Sequence, residues 1–131
     1  MSYASNAARY RDVTILSASP EQLVVLLYEH LLVALRRARL AASTTHMEEQ
    51  RKHLERASNI VAELLATLDM DRGGNVAVNL RSLYVFMLQQ FIDVGETADV
   101  ARLDRLAGMA SELHSAFAQA AELVATNKTQ R

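Results

Sequence analysis

The sequence contains no cysteine. That excludes disulfides, zinc–thiolate sites and thiol nucleophiles, and it fits a reducing compartment. Only one proline and four glycines interrupt the 131 residues, and no stretch alternates apolar and polar residues as a half-buried strand does. No run approaches the about 18 apolar residues of a membrane span, so membrane insertion is not expected. The first residues, MSYASNAARYRD, lack the apolar segment of a secretory signal, which makes the cytoplasm the expected location. Neither sign of charge predominates, the net charge being −1. The basic cluster Arg36-Arg37-Arg39 reads as a solvated helix face and is too small to suggest nucleic acid as a partner.

What is present is a globular balance. Half of the residues are hydrophobic and 22% are charged, enough for one domain around one core. The apolar spacing is helical throughout. Residues 1–18 are polar and small, with Tyr10, Val13, Ile15 and Leu16 as isolated apolar points, and read as an N-terminal arm. A first helix starts at Ser19, where a capping Ser, Pro20 at the first helical position and Gln22 three residues after the cap form a capping box; it runs to about residue 42. A second box, Thr45 with Glu48, opens a helix over about 46–68. The segment DMDRGGN breaks that helix, because Gly73-Gly74 can take backbone angles that other residues avoid. A third helix follows over about 76–94 with Gly95 as its stop. A fourth, capped by Thr97, covers about 98–125, and residues 127–131 form a fraying tail. The fold class is therefore all-α: an antiparallel up-down-up-down four-helix bundle over residues 19–126, preceded by the arm.

The second helix carries one apolar stripe, Leu54, Ala57, Val61, Leu64, Leu65 and Leu68, with charged residues opposite. The first helix carries more. Leu23, Val24, Leu27, Tyr28, Leu31, Leu32 and Leu35 cover nearly half of its circumference, and a further stripe, Leu26, Val33 and Leu40, lies roughly opposite at seven-residue spacing. In the third helix Leu80, Leu83, Tyr84, Met87 and Phe91 form a core face that Val85, Leu88 and Ile92 widen. Phe86 projects among Asn79, Ser82, Gln89, Gln90 and Asp93. A central helix that touches two neighbours accounts for the wide arc of the first helix. Phe86 and the Leu26/Val33/Leu40 stripe, bounded by polar residues, are candidates for a docked helix or a protomer contact. The alanines of the fourth helix suit either close helix approach or helix propensity alone.

No reactive centre is legible. His46, Glu49 and His53 can share a helix face, but Arg51 and Lys52 stand beside them and no Glu-x-x-His pair of the di-iron type occurs; no metal or other cofactor is expected. His30 and His114 read as boundary residues. No nucleophile elbow is present, and DRGGN lacks the phosphate-loop pattern. The sequence offers no argument for an enzyme.

Three segments in order carry a family resemblance. SASPEQLVVLLYEHLLVAL resembles the signature of the flagellar export chaperone family FliS, ELLATLDM resembles the end of its second helix, and VAVNLRSLYVFM resembles its motif N-L-x-x-L-Y-x-Y-M. The pair Tyr10 and Val13 also matches. The resemblance implies a cytoplasmic helical bundle that binds the C-terminal amphipathic region of flagellin, prevents its premature polymerisation and helps present it to the export gate. It gives the surplus apolar surface a use, with Tyr10, Val13 and Ile15 as contacts of an arm that covers part of it. The matched positions are Tyr10, Ser19, Pro20, Leu23, Leu27, Tyr28, Asn79, Leu80, Leu83 and Tyr84. Ser19 and Pro20 shape the helix start, while Tyr28, Asn79 and Tyr84 are placed to set the register of a bound helix. The sequence departs from the family pattern at Glu29-His30, at Val85-Phe86 and at Phe117, where the family often has tryptophan. A self-associating bundle with a homodimer seam is the competing class.

Overall fold

The computed structural model describes residues 19–129; the expectations for Tyr10, Val13, Ile15 and the arm lie outside them. Four helices follow in order: α1 (Pro20–Ser43), α2 (Met47–Ala66), α3 (Met70–Thr97) and α4 (Val100–Thr129). α1 begins as its sequence dictates. The Ser19 hydroxyl accepts from the Gln22 N–H at 3.2 Å and the Ser19 N–H donates to Gln22 Oε1 at 2.9 Å, so two orphan donors of the first turn are satisfied reciprocally.

The other helix ends differ from the sequence expectation, each for a local reason. Thr45 does not cap α2, because it is used to end α1. It takes a left-handed φ of 59°, and the Thr45 and His46 N–H groups bond back to the Ala42 and Ala41 carbonyls at 3.3 and 2.8 Å. Those are the paired bonds of a Schellman closure. His46 stands at the start of α2 without a side-chain cap bond. α3 starts earlier than expected: the Asp69 carboxylate accepts from the Asp71 and Arg72 N–H groups, one turn forms, and the chain kinks at Gly74 with φ 53° and ψ −132°. A side chain strongly disfavours that conformation. Gly95 is not the stop. α3 runs through it to Thr97, and Ala98 makes the turn with φ 54°. Gly95 faces Leu54 instead, whose Cδ1 lies 3.7 Å from where a Cβ would sit. Asp99, not Thr97, caps α4 by accepting from the Arg102 N–H at 3.1 Å. With neither Gly nor Pro after Leu123, α4 continues to Thr129 rather than stopping near Ala125.

α1 lies in the middle of the packing. It packs closely on α2 and on α4, α2 packs on α3, and α3 and α4 touch sparingly despite a two-residue connection. The wide apolar arc of α1 is explained by these two neighbours: Leu31, Leu32, Ala34, Leu35 and Ala38 are all buried. They join Leu54, Ala57, Val61 and Leu64 of α2, Met87, Phe91 and Val94 of α3, and Leu103, Leu106 and Ala110 of α4 in one core. Ala110 is the one buried alanine of α4; Ala101, Ala116 and Ala120 face outward, where helix propensity is their contribution. The buried Gln50 donates from Nε2 to the Val94 carbonyl at 2.8 Å, tying α2 to the end of α3. An exposed ion pair, Arg39–Asp104 at 2.5 Å, and an exposed Glu29–His114 side-chain contact at 3.3 Å link α1 to α4 and contribute little stability of their own.

Candidate functional site

Two outward faces carry apolar side chains. On α1, Leu26 is half-buried, Val33 is 41% exposed and Leu40 63%. On α3, Val78, Val85 and Ile92 are 44, 41 and 71% exposed and share a seven-residue spacing, with Phe86 at 44% beside them. Leu88 packs against the core as expected, but Val85 and Ile92 do not widen the core face. They sit about 80–100° round the helix from Tyr84 and about 100–160° from Met87 and Phe91, and among the described residues α3 lacks the two closely packed neighbours that cover α1. Val78 belongs to this stripe and is missed by a reading that looks only for the core; its spacing of seven from Val85 is the signal that reveals it. Ile92 also lines a cleft of about 370 Å³ between α2 and α3 with Arg51, Leu54, Glu55, Ser58 and Phe91. A second cleft, of about 340 Å³, is formed by Arg37, Leu40, Ala41 and Thr44 with His46, Glu49 and His53.

Tyr28 and Tyr84 are placed elsewhere. They are 0 and 1% exposed, and their hydroxyls bond to each other at 2.5 Å across the core, from α1 to α3. Tyr28 also stacks on Phe117 of α4, with ring centroids 5.3 Å apart. Neither hydroxyl is offered at the surface to set a partner's register. Burial is the main cause that raises both phenol pKa values; the shared bond raises Tyr28 further and partly offsets the rise at Tyr84. Such groups are poor acid–base catalysts near neutral pH. Asn79 is exposed and Leu83 is half-buried; both lie on the opposite flank of α3 from Val85 by helical geometry. The structure thus brings Val85, Phe86 and Ile92 to the outside of one helix and separates them from the Leu26/Val33/Leu40 face.

His46 and His53 are held locally. His46 Nδ1 lies 2.8 Å from Thr44 Oγ1, and His53 Nε2 lies 3.7 Å from Glu49 Oε2. Among the described residues no group of three or more acidic or histidine side chains is placed to hold a metal ion, and no helix is long and apolar enough to cross a membrane.

The fold and these faces define a class: an all-α bundle that carries exposed apolar stripes on two of its helices. The comparisons with known proteins identify which. The family model described as flagellar protein FliS matches residues 2–124. The flagellar secretion chaperone FliS of Salmonella typhimurium is 32% identical over 121 residues, covering 88% of this chain and 90% of that protein. The flagellar secretion chaperone FliSB of Pseudomonas aeruginosa is 30% identical over 120 residues, covering 88% and 95%. A solved structure described as a flagellar chaperone from bacteria matches the fold with a TM-score of 0.74 at 21% identity, over 91% of this chain and 97% of that one. This chain belongs to the FliS family of flagellar secretion chaperones, a family of chaperones and not of enzymes.

Proposed function

We propose that the protein is a cytoplasmic export chaperone that binds the C-terminal amphipathic region of flagellin, prevents its premature polymerisation and assists its delivery to the flagellar type III export apparatus, with the export gate protein as a further contact. The observation that carries this reading is the unpartnered apolar face of α3, Val78, Val85, Phe86 and Ile92, each between 41 and 71% exposed. A disordered amphipathic segment gains by folding its apolar side onto such a face. Full burial of one such side chain is worth about 1.5–3 kcal/mol, so covering four that are roughly half exposed returns on the order of 4 kcal/mol. Ordering a disordered client costs about 2–5 kcal/mol. The two nearly cancel, so a client must reach beyond the stripe, and the adjoining α2/α3 cleft beside Ile92 supplies further surface. In this reading Tyr10, Val13 and Ile15 of the arm cover apolar surface until the client displaces them.

Calorimetry with a peptide of the flagellin C-terminal region tests the reading. Binding near one to one with a negative heat-capacity change is expected. Absence of heat together with absence of co-elution at micromolar concentrations refutes it.

A further inference from the structure

We propose that the outer face of α1 is a self-association surface, on which a second copy of this chain docks its own α1 antiparallel about a two-fold axis at Val33. Leu26, Val33 and Leu40 are spaced by seven, and a seven-residue step drifts only about 20° round a helix, so they form one straight seam. Val33 is 41% and Leu40 63% exposed, on the side of α1 away from the buried Leu31, Leu35 and Ala38.

Charge complementarity selects the occupant. On the α4 side of the seam stand Glu29, four residues before Val33, and Arg36, three residues after it. Both are exposed, and Arg36 makes no ion pair among the described residues. A two-fold axis at Val33 keeps that flank facing itself and reverses the helix direction. Glu29 then lies opposite Arg36 of the partner subunit, and Arg36 opposite Glu29 of the partner subunit, while Leu26 meets the partner's Leu40. The opposite flank bears His30 and Arg37, but these turn toward α2. His30 lines a cleft with Arg56 and Glu63, and Arg37 lines the one with Glu49 and His53. The seven-spaced stripe of α3 has no such property: about Val85 the same construction brings together Arg81 with Leu88 and Ser82 with Gln89. Beside the α1 seam, between the Arg39–Asp104 and Glu29–His114 links, α4 presents Gly108, Ser111 and Ser115, all exposed. A Cβ at Gly108 would meet nothing within 4 Å, so a partner helix can approach closely. One helix–helix seam buries less than the about 1,200 Å² at the low end of stable interfaces, so the dimer is weak. It leaves the α3 face free.

The chain itself is the probe. Sedimentation equilibrium from about 10 to 500 μM covers the range of a weak contact and is expected to show monomer and dimer in exchange. Glu29→Arg or Arg36→Glu alone should raise the dissociation constant at least about five-fold, and the combined exchange should restore it to within about two-fold. Because the chain has no cysteine, Val33→Cys introduces a unique thiol on the axis. A short bismaleimide should link it to its mate about ten-fold faster than Ile92→Cys, whose site is 71% exposed, as proximity across a two-fold axis requires. Thermal melts by circular dichroism confirm that each variant is folded. A monomer throughout the range, single exchanges without effect, a double exchange that fails to restore association, or equal linking rates at the two positions would overturn the proposal. Client binding by the wild-type chain is measured separately, so failure here leaves the chaperone reading standing.

Discussion

Tyr84→Phe deletes one of two hydroxyls that meet at 2.5 Å inside the bundle. The ring and its packing stay, including the Tyr28–Phe117 stack at 5.3 Å, so the change isolates the polar contact. A neutral hydrogen bond contributes about 1 kcal/mol net, but a buried hydroxyl left without a partner costs about 1–3 kcal/mol. In the native pair one hydroxyl donates to the other, so either single change leaves one buried hydroxyl without this partner. Either single change, Tyr28→Phe or Tyr84→Phe, should destabilise by about 1–2 kcal/mol, the lower part of that range. The double change removes both hydroxyls and leaves nothing orphaned, so it should cost less than about 1 kcal/mol. The cycle should thus report a coupling of about 1–2 kcal/mol or more. Urea unfolding followed by far-ultraviolet circular dichroism measures it, since the chain has no tryptophan to report by fluorescence. A double variant whose loss equals the sum of the two singles would refute the claim that the two hydroxyls act as a unit in the core.

The same pair predicts alkaline sensitivity. Both phenol pKa values are raised in the folded state, so above about pH 10 the unfolded chain loses protons that the native one keeps. The contribution is fully present below that pH and falls by up to about 1.4 kcal/mol per pH unit per tyrosine above it; stability against pH for wild type and the double Phe variant should diverge there and nowhere lower. Leu64 is fully buried, and Leu64→Ala should cost about 2–5 kcal/mol by urea unfolding. Phe86→Ala, at 44% exposure, should change stability by only about 0.5 kcal/mol while weakening client binding by roughly 1–3 kcal/mol in a titration; a large stability loss would remove Phe86 from the binding face. Gly74→Ala forces a side chain into φ 53°, ψ −132° and should cost about 1–3 kcal/mol in thermal or urea unfolding, whereas an unchanged midpoint would mean that the kink relaxes at no cost.

The sequence by itself determined four helices, the start of α1 and the core face of α2, because each depends on residues a few positions apart. Ser19, Pro20 and Gln22 close their own cap, and Leu54, Val61 and Leu64 share a face through helical periodicity alone. The family was legible in the same way, from contiguous motifs. Tertiary structure decided what depends on distant neighbours. Tyr28 and Tyr84 look like polar-tipped contact residues until their hydroxyls are brought together from 56 residues apart. Gly95 looks like a helix stop, yet α3 passes through it with the glycine facing Leu54 of α2, and Ala98 makes the turn. Seven-residue spacing marks Leu26, Val33, Leu40, Val78, Val85 and Ile92 as stripes, but exposure is a property of which helix lies alongside. Only the packing of α1 between α2 and α4, with α3 held closely by α2 alone among the described residues, determines which apolar side chains are left uncovered.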